Sequence, residues 1–400
     1  MVSLLRIYRY LTVALAVLGG LTVAAPAAAQ QACADLPAPI IYGIGGSAQR
    51  PVLGKFATKL RGTITVVYAA PGACNAITYL RDGTKLKGTA NYWEADGTQK
   101  SCDLPIPNGV DVSFGFMGNS ELGCDGVAAL PPNIGKYQGP VETANFIVPA
   151  VGSPETAITA EAAYFVYGFG GTLGKVEPWD SDLFVFGRDK NSFLTITLAA
   201  AFNVNLNKLN KAIDAKTNED TIRLVAGASS PAKAIGVVSG EIAAAYRASV
   251  KTLAYQHFDQ SCGYWPDSDP NKLDKRGVRD GLYFLWSPVN LFVAIDPTTK
   301  AVKDPSTEKL AKYFTLQEAL PSGNALALQI ASSLVPRCAM KVWRDGDASP
   351  LYSYAPPEPC GCYFEATALG DAPKECTTCN DNTGCSGATP QCRFGYCEAY

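Results

Sequence analysis

The segment 171–202, GTLGKVEPWDSDLFVFGRDKNSFLTITLAAAF, contains residue types suited to holding an anion. An apolar strand is predicted to end at Arg188, and Ser192 and Thr195 follow at the start of an alanine-rich helix. A guanidinium group offers an oxyanion a planar pair of donors, and the first turn of a helix presents unpaired N–H groups. These residues therefore predict an anion site that includes Arg188, Ser192 and Thr195.

Two glycine-rich turns repeat this order of strand, small residues and helix: YGIGGSAQRP at 42–51 and YAAPGACNAITYL at 68–80. Small residues let a ligand approach the backbone closely. Neither turn matches a dinucleotide-binding or Walker motif, and we expect no cofactor. Each turn could also be purely structural, but three helix N-termini in one α/β chain favour a shared anion site. The candidate ligand-binding residues in these turns are Gly46, Ser47, Ala48, Gly72, Ala73 and Cys74.

The motifs argue against catalysis. The chain has a single histidine, His257, in a predicted surface loop, and its sequence contains neither HExxH nor GxSxG. Ser230 to Lys233 spell S-x-x-K, but no S-D-N or K-T-G accompanies them, and they precede a predicted strand instead of opening a helix. We predict no catalytic residue and no metal site, and we classify the chain as a non-enzyme.

The surrounding elements would bring the three turns together. From Cys33 to about Asp345, short β-rich runs alternate with helical runs, including predicted helices at 48–60, 159–168 and 195–202. This alternation predicts an α/β fold with mostly parallel sheets. Ligands of such sheets bind beyond the carboxyl ends of the strands, which is where the three turns lie.

Three segments interrupt the alternation. Residues 88–108 and 256–279 are polar and rich in turn formers, and we expect both to be surface excursions. The sequence YAPPEP at 354–359 predicts a short stiff linker.

The N-terminal residues 1–29 have the pattern of a secretory signal peptide. Arg6 and Arg9 precede an apolar stretch at 11–23, and three alanines end at Ala29, after which we predict cleavage. No later stretch is apolar enough to span a bilayer, so we expect no stable membrane insertion after cleavage. The formal net charge is −2 at pH 7, which argues against a nucleic-acid partner.

The cysteines indicate an oxidising compartment and a distinct C-terminal module at 356–400. All 13 cysteines follow the predicted cleavage site, and eight of them lie between Cys338 and Cys397. The pair Cys376 and Cys379 could belong to a zinc ribbon, but disulfides are favoured because about 45 residues cannot bury a sufficient core unaided. An odd number leaves at least one thiol free or paired between chains.

The segment ITAEAAYFVYGFGGTLGKVEPWDSDLFVFGRDKNSFLT resembles the phosphate-binding proteins of ABC transporters, a family of type II periplasmic binding proteins. Gly174-Lys175 and Trp179-Asp180 match a turn of that family, and Arg188 and Ser192 match its Arg-x-x-x-Ser motif. The likeness extends over about 35–345.

The resemblance implies a two-lobed fold with a ligand cleft between the lobes. Lobe 1 would comprise 31–147 and 288–345, and lobe 2 would comprise 148–287. It also implies that the protein is periplasmic or secreted, binds phosphate or a similar oxyanion, passes it to an ABC permease, and acts as a monomer.

Three positions depart from the family. Asn119 lies where an aspartate is usual, Cys74 lies where a hydroxyl is expected, and Thr195 comes one position late. These changes could alter the oxyanion or abolish binding. The alternative is a cell-surface or extracellular interaction protein that keeps the scaffold and binds a partner through its cysteine-rich tail. A phosphatase is disfavoured because no nucleophile and base pair can be placed.

Overall fold

The computed structural model describes residues 30–398, so the predicted signal peptide lies outside the described residues. Within 30–398, every helix is too short or too polar to span a bilayer. The strands are β1 (Ile40–Gly45), β2 (Thr65–Ala69), β3 (Gly88–Trp93), β4 (Gln99–Leu104), β5 (Phe114–Met117), β6 (Ile134–Pro149), β7 (Ala157–Thr159), β8 (Val185–Gly187), β9 (Ile213–Asp214), β10 (Ile235–Ser239), β11 (Val250–Thr252), β12 (Ala254–Gln256), β13 (Trp286–Ala294), β14 (Val342–Trp343), β15 (Tyr352–Ser353), β16 (Gln391–Arg393) and β17 (Tyr396–Glu398). The helices are α1 (Arg50–Leu60), α2 (Asn75–Asp82), α3 (Ala160–Phe169), α4 (Gly171–Gly174), α5 (Phe193–Ala201), α6 (Asn218–Ala226), α7 (Gly240–Ala245), α8 (Arg276–Arg279), α9 (Pro305–Phe314), α10 (Ala325–Ile330) and α11 (Gly361–Leu369).

Eleven strands form one sheet in the order β4-β3-β2-β1-β5-β13-β6-β10-β8-β9, with β11 also paired to β6. β1 pairs in parallel with β2 and β5, and β8 pairs in parallel with β9 and β10. β13 pairs antiparallel with β5 and β6, and β6 pairs antiparallel with β10. The α/β prediction is confirmed, but the sheet is mixed because the strands that join its two halves run antiparallel.

The long strand β6 belongs to both halves of the sheet. Its first part pairs with β13, and its last part pairs with β10. We call β1–β5 with β13 the first half and β8–β11 the second half. The predicted lobe boundaries at 147 and 288 fall inside β6 and β13, so the two crossing strands lie where the lobes were expected to join.

Side-chain caps fix the starts of several helices. Thr159 accepts a hydrogen bond from Ala162 N at the start of α3, and Thr217 accepts one from Asp220 N at the start of α6. Pro51 occupies the first turn of α1, where its missing N–H costs no hydrogen bond. The helices predicted at 48–60, 159–168 and 195–202 are thereby confirmed as α1, α3 and α5, to within two residues at each end.

Aromatic and aliphatic side chains fill both faces of the sheet. Against the first half, Phe314 of α9 packs edge-on to Phe56 of α1 and Phe116 of β5, with ring centroids 5.6 and 4.8 Å apart. Burial of each such ring stabilises the fold by roughly 2–3 kcal/mol. This packing fixes the strand ends that lead into the functional turns.

The predicted excursion at 88–108 contains regular structure. β3 and β4 form an antiparallel hairpin that extends the sheet edge beyond β2, and Cys102 of β4 is bonded to Cys33. β4 is largely exposed, and its polar residues meet solvent, which explains why the sequence pattern suggested a loop. The second excursion, 256–279, is mostly loop and ends in the one-turn helix α8.

The C-terminal segment is rich in disulfides, as predicted. Its bonds are Cys338–Cys360, Cys362–Cys376, Cys379–Cys392 and Cys385–Cys397. Two further bonds, Cys33–Cys102 and Cys74–Cys124, leave Cys262 as the one exposed free cysteine. Since every sulfur of the C-terminal segment is in a disulfide, the zinc-ribbon alternative is excluded.

The C-terminal segment packs directly on the rest of the chain. Glu365 of α11 forms a buried ion pair with Arg279, and Phe364 is buried under the Arg279 guanidinium. The predicted linker 354–359 also makes contacts, because the Arg337 guanidinium lies 5.0 Å from the centre of the Tyr354 ring. The predicted linker therefore joins the C-terminal segment to a part of the chain that the segment also contacts directly.

Candidate functional site

Four turns, each leading from a strand into a helix, line one cavity of about 470 Å³. The β1–α1 and β2–α2 turns come from the first half of the sheet, and the β8–α5 and β9–α6 turns come from the second. Ligands of α/β sheets bind at such strand ends. We call this cavity the cleft. Its lining residues are Gly46, Ser47, Ala48, Ala70, Pro71, Gly72, Ala73, Arg188, Asp189, Asn191, Ser192, Phe193, Leu194, Asp214, Lys216 and Asn218.

The cleft brings together most of the residues singled out in the sequence, from three turns far apart in the chain. They are Gly46, Ser47, Ala48, Gly72, Ala73, Arg188 and Ser192.

Arg188 follows β8 directly, and its side chain is mostly buried in the cleft wall. Its Nε atom has no hydrogen-bond partner among residues 30–398. Burial lowers the pKa of Arg188 from its ordinary value, and the carboxylates of Asp189 and Asp214 act in the opposite direction. Because an arginine stays charged in proteins, the cleft holds a cation with an unused donor.

Three backbone N–H groups of the glycine-rich turns are already paired. The pairs are Gly46 N with Phe116 O (3.0 Å), Gly72 N with Gly45 O (3.1 Å) and Ala73 N with Asn191 O (2.7 Å). The N–H groups of Gly46, Gly72 and Ala73 themselves are therefore not available to a ligand. They join their turns to β5, to the end of β1 and to the β8–α5 turn.

Other donors in the cleft remain available. Within the described part of the chain, the N–H groups of Ser47, Ala48 and Phe193 have no hydrogen-bond acceptor. The Ser192 hydroxyl accepts from Leu194 N at 3.3 Å as the cap of α5, which leaves its proton free to donate. These donors surround the same space as Arg188.

The two halves of the sheet touch across the cleft. Ala73 N donates to Asn191 O, and the Lys55 ammonium of α1 lies 3.6 Å from the Glu241 carboxylate of α7. Gly72 has φ +150°, and a Cβ at this position would lie 3.1 Å from Asn191 Cβ. A glycine is therefore needed for the close approach of the β8–α5 turn.

The β9–α6 turn is a part of the cleft that the sequence interpretation missed. It contributes Asp214, Lys216 and Asn218. Gly187 of β8 pairs in parallel with Asp214, which places Arg188 beside this turn. The available signal was Thr217, a capping residue directly before the predicted helix at Asn218.

Three predicted site residues do not line the cleft, and each makes a contact elsewhere in the fold. Cys74 is bonded to Cys124, the buried Asn119 donates to Thr197 Oγ1 at 3.0 Å, and Thr195 Oγ1 donates to Arg188 O at 2.9 Å. Thr195 thus supports the backbone of Arg188 and does not face the cavity.

Two carboxyl groups, one bonded to Gln49 before α1 and one in the first turn of α7, have raised pKa values. Glu142 of β6 accepts a hydrogen bond from Gln49 Nε2 at 2.5 Å. The pKa of Glu142 is raised to about 8, chiefly by burial; the Gln49 hydrogen bond opposes the shift, and the nearby Glu241 charge adds a smaller increase. Burial also raises the pKa of Glu241 to about 7, against the attraction of Lys55. Near neutral pH, Glu142 is mostly protonated.

Other features of interest lie away from the cleft. A larger cavity, about 640 Å³, is lined by residues between Asn145 and Lys275, and none of the glycine-rich turns contributes to it. His257 stacks on Phe284 with ring centroids 3.4 Å apart, and burial lowers its pKa to about 4. Lys233 of the S-x-x-K match pairs with Asp180 at 2.8 Å. None of the three offers a better site.

Comparisons with known proteins agree with this architecture. No family model matches the chain, and no characterised protein matches it in sequence. Among solved structures, a protein described as a phosphate ABC transporter substrate-binding protein from Clostridium perfringens, with bound phosphate, has a TM-score of 0.50 and 12% identity, covering 74% of this chain and 99% of that one. An ABC-type phosphate transport receptor from Vibrio cholerae has a TM-score of 0.47 and 15% identity over 74% and 99% of the two chains. PstS from Borrelia burgdorferi has a TM-score of 0.40 and 13% identity over 74% and 98%.

The chain therefore has the two-lobed α/β fold of type II periplasmic binding proteins, with a disulfide-rich C-terminal segment. The names of the Clostridium perfringens and Vibrio cholerae proteins mention phosphate binding or transport. At sequence identities of 12% and 15%, these similarities establish the fold alone.

Proposed function

We propose that this protein is an exported solute-binding protein that holds phosphate or a related oxyanion in the cleft and delivers it to an ABC permease. The observation that supports this most directly is Arg188, a largely buried cation with an unused donor where four strand-to-helix turns converge. We expect a periplasmic or secreted monomer without catalytic activity.

The donors around Arg188 suit a desolvated oxyanion. Such an ion needs a hydrogen bond for each oxygen when it leaves water. The guanidinium would supply charge and a planar fork, and the Ser47 and Ser192 hydroxyls would supply two more donors. The unpaired N–H groups at the starts of α1 and α5 add the favourable ends of two helix dipoles.

The crossing strands would provide the means of capture. β6 and β13 connect the two halves, and the Ala73–Asn191 hydrogen bond joins their cleft edges. Opening about the crossing strands would break that bond and admit the ligand, as in other hinge-closing binding proteins.

The first test is a thermal-shift and calorimetric titration of oxidised residues 30–400 with phosphate, sulfate and phosphonate. A ligand at 100 times its dissociation constant adds about 2.7 kcal/mol to the stability, which raises the melting temperature measurably. Arg188→Ala should abolish this shift without unfolding the protein. Arg223→Ala, an exposed arginine of α6, is the matched control and should bind as the original does. Unchanged affinity in Arg188→Ala would refute the site assignment.

A second candidate function is the interaction protein that reuses this scaffold. The observation in its favour is that the N–H groups of Gly46, Gly72 and Ala73 are already hydrogen-bonded to backbone carbonyl groups, so they cannot bind an anion. This alternative predicts no thermal shift with any oxyanion in the titration above, and partner capture that depends on the C-terminal segment. A surface variant there, Phe394→Ala, would then lower partner binding, since Phe394 is 47% exposed.

A further inference from the structure

The size of the cleft exceeds what an inorganic oxyanion fills. The cavity measures about 470 Å³ even with the two halves joined by the Ala73–Asn191 hydrogen bond. A tetrahedral oxyanion takes the room of two to three water molecules, at about 30 Å³ each. Small organic ligands occupy pockets of about 300–1,000 Å³, a range that includes the cleft.

The charges that line the cleft are of both signs. Arg188 and Lys216 are cations, and Asp189 and Asp214 are carboxylates; the Lys216 ammonium lies 2.5 Å from the Asp214 carboxylate. A carboxylate accepts hydrogen bonds and donates none, so it contacts a ligand favourably where that ligand carries donors. Carboxylates beside the anion subsite therefore fit a ligand that also carries hydrogen-bond donors such as hydroxyl groups.

Asn218 adds an unpaired polar group to this end of the cleft. The side chain is only 4% exposed and lines the cavity. One end of its amide donates to Ser239 Oγ at 3.1 Å, and the other end, Oδ1, has no partner among residues 30–398. A buried amide group without a partner costs stability unless a ligand or water satisfies it.

The sheet register places this amide close to the anion subsite. Gly187 and Asp214 are paired on neighbouring strands, which lie about 4.8 Å apart, so Arg188 and the β9–α6 turn are adjacent. Asn218 begins α6 immediately after that turn. A phosphate group on Arg188 can therefore project a short substituent toward Asn218 and Asp214.

We propose that the preferred ligand is a phosphate monoester of a small polyol, whose phosphate binds Arg188 and whose hydroxyls bind Asn218 and Asp214. This inference rests on the proposed function of the cleft as an oxyanion site. Pro71 and Leu194, which also line the cavity, would contact the carbon chain.

The test is calorimetric titration of oxidised residues 30–400 with sn-glycerol 3-phosphate, inorganic phosphate and glycerol. The original protein should bind the ester at least ten-fold more tightly than it binds inorganic phosphate. It should not bind glycerol measurably. Asn218→Ala should weaken ester binding five- to ten-fold and weaken phosphate binding much less. Asn91→Ala is the matched control, because Asn91 also donates its amide to a serine hydroxyl but lies on β3, outside the cleft, and it should change neither affinity.

The possible failures are distinguishable. Equal affinities for the ester and for phosphate, or an equal loss of both in Asn218→Ala, would overturn the polyol ester while leaving the oxyanion site intact. Binding of either ligand that survives Arg188→Ala would overturn the oxyanion site itself. Retained phosphate binding in Asn218→Ala also shows that this variant is folded.

Discussion

Glu142 is a fully buried carboxyl group in the strand that joins the two halves, and its hydrogen bond to Gln49 links that strand to the start of α1. Its pKa is raised to about 8, chiefly by burial. The folded protein therefore binds the Glu142 proton more tightly than the unfolded chain does. The contribution of this group to stability is complete below the ordinary glutamate pKa and declines as the pH rises toward 8.

We predict that Glu142→Gln makes stability less dependent on pH. The variant should resemble the original protein at pH 5 and be more stable by about 4 kcal/mol at pH 9, because the amide keeps the shape and need not ionise. Urea unfolding at pH 5, 7 and 9 measures this difference. Glu318→Gln, at an exposed position, should leave the pH profile unchanged. If the stability of Glu142→Gln fell above pH 7 as steeply as that of the original protein, the prediction would be contradicted.

At the residue scale, the sequence predicted which polar residues lie just after strands, but it did not predict their hydrogen-bond partners. Arg188 and Ser192 were identifiable because a strand end and a helix cap each leave a local signal. The use of the Ala73 N–H by Asn191 was not, since that hydrogen bond joins distant segments. Asn218 was missed as a site residue because the preceding strand, β9, has only two residues.

At the scale of elements, the disulfide Cys74–Cys124 ties the start of α2 to the loop after β5. It thereby holds the β2–α2 turn, which contributes Gly72 and Ala73 to the cleft. The bond closes a longer loop than Cys385–Cys397 does, with sequence separations of 50 and 12. Removing each bond in turn therefore compares the effect on ligand affinity of a disulfide beside the cleft with that of one remote from it.

We predict that replacing both Cys74 and Cys124 by serine lowers stability by about 4 kcal/mol and also weakens ligand binding. The stability loss follows from loop-closure entropy in the unfolded chain. Replacing Cys385 and Cys397 should cost about 3 kcal/mol and leave ligand affinity unchanged. Chemical denaturation and calorimetry measure the two effects. An equal loss of affinity in both variants would show that the β2–α2 turn is not held locally.

Elements were predictable where the pattern of apolar residues was strong. α3 and α5 were recognised because their caps and apolar runs agree. The β3–β4 hairpin was not recognised, because an exposed edge strand needs no apolar alternation. The antiparallel direction of the crossing strands was also not predicted, since direction depends on pairing with partners far away in the chain.

At the scale of the whole molecule, the C-terminal segment is held to the rest of the chain by ion pairs as well as by the Cys338–Cys360 disulfide. Glu365 pairs with Arg279, both nearly inaccessible to solvent, and also with Arg276 at 3.2 Å. Arg279 additionally donates from Nε to Ala339 O at 3.0 Å. A buried ion of this kind depends on its partner, because removal of one charge leaves the other desolvated.

We predict that Glu365→Gln lowers the stability by about 3–5 kcal/mol. Replacing both Arg279 and Glu365 by methionine should cost less than the single change, because no isolated buried charge remains. Glu375→Gln removes an exposed partner of Arg276 and should cost at most about 1 kcal/mol. Urea unfolding of the three variants gives the comparison. A double variant less stable than Glu365→Gln would contradict the account.

The strand β13 is synthesised well after the two strands with which it pairs. β13 lies between β5 and β6 in the sheet, yet it is made only after all of β7 to β12. At translation rates of about 5–20 residues per second, the inner edges of β5 and β6 wait on the order of ten seconds for this strand. Unpaired strand edges recruit other chains. The nascent chain is therefore most in need of protection from aggregation along these two edges, until the last strand between them arrives.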